Sequence, residues 1–327
     1  MTQPHNTPQK HKSNERALLT FVLLAMGAGW GICIPLTKLA VSTGYQPFGL
    51  IFWQVTIVAV FLGAINALRG KGLPCGAAQC RVYGVVALLG AVLPDIAYYT
   101  AAVHLQGGVL SILMSSVPMF AFPIALMLGN DQFVPLRLVG LFLGLLGIVL
   151  LIGPEASLPE ATSALFIPVL LLAPLCYATE VNYVARWGTA GLDPIQVITG
   201  ASLLGVVISL PVAVLSGQWV SPLPPYTVAD VSLVANSLIH ALVYATYVWL
   251  TRRAGSVFAS QTAYLVTGFG MMWSILLLSE SYSGYIWLAL AAMLAGIFLV
   301  QPRPGIALAP APGMGETGSG NQKGNPK

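Results

Sequence analysis

Charged residues are scarce in this sequence of 327 residues. Asp, Glu, Lys and Arg make up 7% of the chain and hydrophobic residues 57%, whereas about 25% charged residues is typical of soluble domains. A chain of this composition cannot keep itself in water, which excludes a soluble protein. The net charge is +4, but the basic residues lie in short clusters between apolar runs. This pattern argues against a nucleic-acid partner and favours orientation in a lipid bilayer.

Groups for catalysis or metal binding are also sparse. The four histidines are scattered along the chain, at His5, His11, His104 and His240. Cys75 and Cys80 form a C-x4-C pair without a nearby histidine, which is a weak metal signal. The chain has no H-E-x-x-H, no G-x-S-x-G and no nucleotide-binding loop, so we predict no metal, no cofactor and no ATP-driven step. A membrane-embedded enzyme that uses buried carboxylates is the alternative to a transporter.

Long apolar runs dominate the rest of the sequence. A run of about 20 apolar residues crosses the ~30 Å hydrocarbon layer as a helix. Ten such runs predict an all-α membrane protein with ten transmembrane helices: 17–41, 47–68, 82–103, 109–128, 134–152, 163–185, 194–215, 231–251, 257–278 and 284–301. Nine further runs follow the first one, so we interpret it as a mature helix and not as a cleaved signal peptide.

The loops between these runs divide by charge. With the amino terminus in the cytoplasm, only Lys38 lies near the outer face, and both termini are cytoplasmic. The cytoplasmic side then collects Lys10, Lys12, Arg16, Arg69, Lys71, Arg81, Arg137, Arg186, Arg252, Arg253 and Arg303. We expect Lys38 to extend to the outer interface, with gating or anion attraction as the alternative. The polar segment 1–16 and the Pro/Gly-rich tail 302–327 are predicted to be disordered, and 153–162 is an outer linker.

The sequence also repeats itself. A displacement of 147 residues aligns "GYQPFGL" (44–50) with "GLDPIQV" (191–197), and one of 149 aligns 107–131 with 256–280, so that Asp131 meets Glu280. The repeats, 17–152 and 163–301, contain five helices each. Because five is odd, the two units must be inverted in the membrane, as in many secondary transporters, whose substrate site lies near the midplane between the halves.

Three segments resemble a known family. The opening "LLAMGAGWGICIPLTKLA" (23–40), Pro118 followed by Asp131 and Gly140, and Glu280 in the second half are similar to the EamA-type group of the drug/metabolite transporter superfamily. The resemblance implies an exporter of a small metabolite or drug in a bacterial inner membrane. The sequence departs from the family pattern at three positions: Asp131 in place of Glu, Thr267 in place of a second Pro, and Gln54 where Arg is common.

Asp95 is the clearest functional candidate. An ionisable side chain within a membrane helix costs on the order of 3 kcal/mol, so it needs a partner or water. Tyr98 and Tyr99 follow at i+3 and i+4 on the same helix face. Asp95 either faces a central cavity or is a carboxyl satisfied by its neighbours. Glu180, with Tyr177 one turn before it, either faces the cavity, reaches the cytoplasmic interface or pairs with Arg186.

Other candidates follow polar or aromatic stripes on several helices. Asp95, Glu180 and His240 are the candidates for proton coupling, although His240 could be a satisfied packing residue. The further candidates for substrate binding are Trp30, Tyr244, Tyr247, Ser260 and Tyr264. Carboxylates in an aromatic-lined cavity favour a small cationic or amino-acid-like substrate, and the same carboxylate could instead carry a coupling proton.

Small residues mark two packing faces. They are Gly140, Gly144 and Gly147 in the fifth run and Ala292 and Gly296 in the tenth. Helices in lipid pack closely where side chains are small. We predict a peripheral seam between the halves, with an oligomer interface as the alternative, which leaves both a monomer and a homodimer open. The cavity is then built chiefly by helices 1, 3, 4, 6, 8 and 9.

Overall fold

The computed structural model describes residues 8–152 and 164–300, and the regular structure in these residues is helical throughout. The main helices are α1 (Pro8–Val41), α2 (Pro47–Leu68), α3 (Ala77–Ala102), α4 (Gly107–Met127), α5 (Pro135–Ile152), α6 (Phe166–Trp187), α7 (Pro194–Leu215), α8 (Val228–Ala254), α9 (Phe258–Leu278) and α10 (Gly284–Val300). Within the described ranges, nine helices, α1 to α9, are long and apolar enough to cross a membrane, and α10 is a shorter apolar helix of 17 residues. The all-helical membrane fold is therefore confirmed.

Helix α1 begins earlier than the sequence suggests. It starts at Pro8, so it includes residues 8–16, which were assigned to a disordered terminus. Proline is favoured at the first position of a helix, and no glycine or further proline occurs before Gly27. Residues 153–162 and 302–327, predicted as linker and disordered tail, lie outside the described residues.

Proline interrupts α3 at the centre of the molecule. The residues Leu88–Val92 form a π-helical turn directly before Pro94. The ring of Pro94 would crowd the carbonyl of Gly90 four residues earlier and cannot donate a bond to it. The wider π turn accommodates both effects, and such turns are frequent at functional sites.

Proline also divides α4. Its two halves, Gly107–Met114 and Val117–Met127, are separated by Ser115 and Ser116 just before Pro118. The hydroxyls of both serines donate to backbone carbonyls, of Ile112 and Leu113 respectively, each at 2.6 Å. These bonds satisfy carbonyls that a regular helix would have paired. In contrast, Pro123 and Pro174 lie within helices that continue past them.

Helices α5 and α10 pack against each other at the periphery. The contact is close because it is built from glycines: a Cβ atom added at Gly140 would lie 2.7 Å from the carbonyl oxygen of Gly296, and the reverse distance is the same. Only small residues permit this approach of two backbones. The predicted seam between the halves is confirmed.

The remaining helices interleave the two halves. Helix α1 packs against α8 and α9, α6 packs against α3 and α4, and α2 packs against α7. The loops after α2, α4, α6 and α8 lie at one end of the bundle, which we call the basic end because Arg69, Lys71, Arg186 and Arg253 are located there. The loops after α1, α3, α7 and α9 form the opposite end. A central cavity lies between the halves.

Candidate substrate-binding cavity

The cavity has a volume of about 670 Å³ and is lined by residues of α1 to α4 and α6 to α9. This volume lies within the usual range for small-molecule sites, roughly 300–1,000 Å³. The six predicted helices all contribute, and α5 and α10 do not appear in the lining. Helices α2 and α7 were not expected to contribute. They do so through Gln54 on α2 and Ile198, Ala201 and Ser202 on α7.

Most of the predicted site residues lie in the cavity wall. Those that line it are Trp30, Asp95, Tyr98, Tyr99, Tyr177, His240, Tyr247 and Ser260. Glu180, Tyr244 and Tyr264 are not part of the lining. Tyr264 packs instead against the main hydrophobic core, and its hydroxyl is buried without a hydrogen-bond partner among the described residues.

Asp95 is held by a short chain of hydrogen bonds. Its side chain is 6% exposed, and its Oδ2 accepts a bond of 2.7 Å from Nε2 of Gln54. The hydroxyl of Tyr99 donates to Oε1 of the same amide. Tyr99 therefore reaches Asp95 through Gln54. A Gln side chain can both donate and accept, so it orients the carboxylate without neutralising it.

Gln54 is the main residue that the sequence analysis undervalued, because it was treated only as a departure from a family pattern. An arginine at this position would compensate the charge of Asp95. The amide of Gln54 carries no such charge. A polar residue in the middle of the apolar run 47–68 was a signal that could have identified it.

Two buried polar atoms in the cavity wall lack partners within the described ranges. They are Nε1 of Trp30 and Oδ1 of Asn236. Asn236 is 6% exposed, and its Nδ2 contacts the hydroxyl of Thr37 at 3.5 Å. A buried polar group without a partner costs free energy. Water or a polar ligand in the cavity would supply these two atoms with hydrogen-bond partners.

Aromatic rings form the wall beside these atoms. The ring of Trp30 lies with its centroid 6.0 Å from that of His240 and 5.6 Å from that of Tyr247. His240 thus lines the cavity with its ring packed beside that of Trp30. The electron-rich faces of Trp and Tyr attract cations.

Glu180 lies at the edge of the cavity, against the π turn of α3. A Cβ atom added at Gly90 would come within 2.6 Å of Oε2 of Glu180, so the carboxylate covers a glycine that itself lines the cavity. No ion pair joins Glu180 to Arg186 or to another described residue. The alternative in which Arg186 neutralises this carboxylate is therefore wrong.

The exposure of the lining differs along the cavity. Thr37 and Ser111, which lie towards the opposite end, are 1% and 2% exposed. Towards the basic end Tyr247 and Ser260 are partly exposed, whereas Ala259 is fully buried.

Two charged side chains cap helices at the opposite end of the bundle. Lys38 donates from Nζ to the carbonyls of Ala102 and Leu105 at 2.8 and 2.7 Å, at the end of α3. Its ammonium group therefore binds carbonyls inside the protein. We had expected it to extend to the outer interface. Glu280 accepts a bond of 2.9 Å from the backbone N–H of Gly107, at the start of α4. Both contacts follow the favourable sign of the helix dipole.

Comparison with known proteins gives a consistent result. The sequence profile described as the EamA-like transporter family matches residues 17–153 and again residues 164–301. A solved structure described as "Crystal structure of protein" superposes with a TM-score of 0.58 at 18% identity, covering 86% of this chain and 94% of that one, which shows a shared fold. No curated protein matches the sequence significantly.

Proposed function

Because the chain belongs to the EamA-like transporter family, which is part of the drug/metabolite transporter superfamily of membrane transporters, we propose that it exports a small organic cation or amino-acid-like metabolite. The observation that carries this proposal is the state of Asp95. Its carboxylate is buried in the cavity wall and bonded to a neutral amide. Among the described residues, the cavity lining includes no Lys or Arg.

The chemistry of the wall supports a positively charged substrate. A carboxylate without a cationic partner within a membrane is costly, and a bound ammonium group offsets that cost. The faces of Trp30 and Tyr247 add cation–π attraction. An anionic substrate would meet like charge and no compensating basic side chain.

Alternating access between two inverted halves supplies the mechanism. In this proposal all ten helices cross the membrane, and the basic end with both termini lies in the cytoplasm of a bacterial cell. In its inward-facing state the cavity would then load substrate from the cytoplasm. Release follows when the capped opposite end opens. Asp95, Glu180 and His240 are the candidates for carrying a coupling proton.

The native cysteines can test this orientation without any substitution. Cys75 lies in the basic-end loop before α3 and Cys80 in the first turn of that helix, and both are exposed. A membrane-impermeant maleimide is expected to label them in inside-out vesicles and not in intact spheroplasts. The Cys75→Ser/Cys80→Ser variant identifies residual labelling elsewhere. Labelling from the outer face in spheroplasts would reverse the proposed orientation.

Asp95→Asn tests the function itself, because the amide keeps the volume of the side chain and removes its charge. If Asp95 binds the substrate cation, we expect binding of organic amines to fall by about tenfold or more in reconstituted protein. If it carries the proton, substrate exchange persists and uphill transport driven by a pH gradient is lost. Glu15→Gln, which changes an exposed acid far from the cavity, is the matched control. Unchanged binding and unchanged uphill transport in Asp95→Asn would contradict the proposal.

A further inference from the structure

Two carboxylates lie at one cavity, Asp95 in its lining and Glu180 at its edge, and neither has a cationic partner among the described residues. Asp95 is bonded to Gln54, and Glu180 covers Gly90 at the π turn. Gly90 lines the cavity, as do Tyr177 and Val181, which flank Glu180 on α6. We propose that the substrate is an α,ω-diamine, with one ammonium group at Asp95 and the other at Glu180. This inference rests on the proposed transport function and names its substrate class.

The π turn explains why both carboxylates can reach one ligand. In an uninterrupted α-helix, residues five apart such as 90 and 95 point about 140° away from each other. A π turn bonds residue i to residue i+5 and so brings residues at this spacing towards the same face. Both Gly90 and Asp95 indeed line the cavity. Glu180, which lies against Gly90, is therefore at the edge of the space that Asp95 faces.

A second, independent observation also indicates a ligand rich in hydrogen-bond donors. Asn236 is 6% exposed and lines the same cavity, and its Oδ1 has no donor within the described ranges. An ammonium group carries three donors and no acceptor. Asn236 thus offers one unmet acceptor of the kind that an ammonium group satisfies, whereas the unpaired Nε1 of Trp30 in the same wall is a donor.

The spacing of the two levels sets the length of the diamine. Gly90 and Asp95 are five residues apart, so the two levels lie at most roughly 7–8 Å apart along α3, because a π turn rises less per residue than an α-helix. Four or five methylene groups place two terminal nitrogens on the order of 6–7.5 Å apart in an extended chain. Butane-1,4-diamine and pentane-1,5-diamine are therefore the best-matched probes.

The experiment compares each diamine with the monoamine of equal carbon number. Purified full-length protein in nanodiscs is titrated calorimetrically with pentane-1,5-diamine, butane-1,4-diamine, pentan-1-amine and butan-1-amine. We expect each diamine to bind at least about tenfold more tightly than its monoamine, because it makes a second charge-assisted contact. Glu180→Gln should reduce that ratio to about one. Asp95→Asn should weaken the binding of both classes, and Glu15→Gln is the control that keeps the ratio.

The outcomes separate this inference from the transport function. If amines bind in an Asp95-dependent manner but diamines hold no advantage, the diamine inference is overturned and the cation transporter stands. If no amine binds, both fail. An equal loss for diamine and monoamine in Glu180→Gln would also overturn the inference, since Glu180 would then act on the whole cavity.

Gly90→Ala provides a second test that leaves both charges in place. The added methyl group would meet the Glu180 carboxylate at 2.6 Å and must displace it. We expect the diamine advantage to fall several-fold, with the protein still folded because the displaced atoms are the end of a flexible side chain. An unchanged ratio in this variant would contradict the position assigned to the second ammonium group.

Discussion

The acids that follow α4 and α9 occupy equivalent positions in the two halves but make different contacts. Asp131 forms an ion pair within its own half, with Arg137 at the start of α5. Glu280 instead binds across the halves, accepting the backbone N–H groups of Gly107 and Gly108 at the start of α4. One acid stabilises a local turn, and the other ties the two halves together.

The difference follows from a single neighbouring position. The displacement of 149 residues that aligns Asp131 with Glu280 aligns Arg137 with Ile286. Ile286 is 1% exposed and offers no charge. Glu280 therefore finds its donors at a helix N-terminus, where the dipole favours an anion. The cross-half contact lies at the opposite end of the bundle, whereas the local ion pair lies at the basic end.

The largest expected effect comes from breaking the local ion pair. The Arg137 side chain is 6% exposed and lies over the ring of Phe122 at 5.4 Å. Asp131→Asn leaves this buried charge without its partner, and we expect a loss of about 3 kcal/mol in the free energy of unfolding. Denaturant unfolding in detergent micelles measures it.

A second substitution, copied from the other half, should restore the lost stability. Arg137→Ile copies the residue at the equivalent position 286, and Asp131→Asn/Arg137→Ile should recover most of the stability of the wild type. Strictly additive losses in the two single variants would mean that no coupling exists between these side chains.

Glu280→Gln should have a smaller effect, about 1–2 kcal/mol, because the amide oxygen still accepts one bond but the charge at the helix N-terminus is lost. Tyr282 also loses a charged acceptor, since its hydroxyl donates to Glu280 at 2.7 Å. The same unfolding assay measures the change, with the exposed Glu15→Gln as control. A loss equal to that of Asp131→Asn would show that the two acids are energetically equivalent after all.

Much of the fold follows from one-dimensional patterns. The apolar runs predict the helices, and the small-residue stripes predict the α5–α10 seam. The two repeats predict that Asp131 and Glu280 are equivalent positions. These features depend on residue type and spacing along a single helix. The interruptions of α3 and α4 also have a local cause. Pro94 and Pro118 lack the N–H that would pair with the carbonyl four residues earlier.

The fine structure of the site depends on contacts between distant residues, which spacing along one helix does not encode. Gln54 meets Asp95 across 41 positions of the chain, and Lys38 finds the carbonyls of Ala102 and Leu105 beyond 60 positions. The place of Glu180 depends on a π turn in another helix. Tyr264 belongs to a predicted polar stripe but packs against the hydrophobic core. The spacing of a stripe along a helix does not distinguish between the core and the cavity as the interior that it faces.

The N-caps of α2 and α7 also differ between the two halves, and here we expect the smallest effect on stability. The repeat aligns Gln46 with Asp193, yet Gln46 makes no side-chain cap and Asp193 forms a full capping box with Gln196. Asp193 also pairs with Arg69 at 2.9 Å and Lys71 at 2.7 Å. The charged cap thus joins the start of α7 to the end of α2 at the basic end. Gln46, at the equivalent position, forms no such cap.

This charged cap should make stability depend on pH. Burial raises the pKa of Asp193, but hydrogen bonds from Lys71 and Arg69 outweigh burial and hold the pKa well below its usual range. A lowered folded-state pKa means that the carboxylate stabilises the protein fully above the unfolded value of about 3.9, and that this stability is lost as pH falls below it. We expect Asp193→Asn to cost about 1 kcal/mol at pH 7 and progressively less below pH ~4. Thermal unfolding of both proteins between pH 7 and pH 3 checks this, with Gln46→Ala as the matched cap without pH dependence. A difference between wild type and Asp193→Asn that stays constant over this range would mean that the Asp193 charge is not what stabilises the basic end.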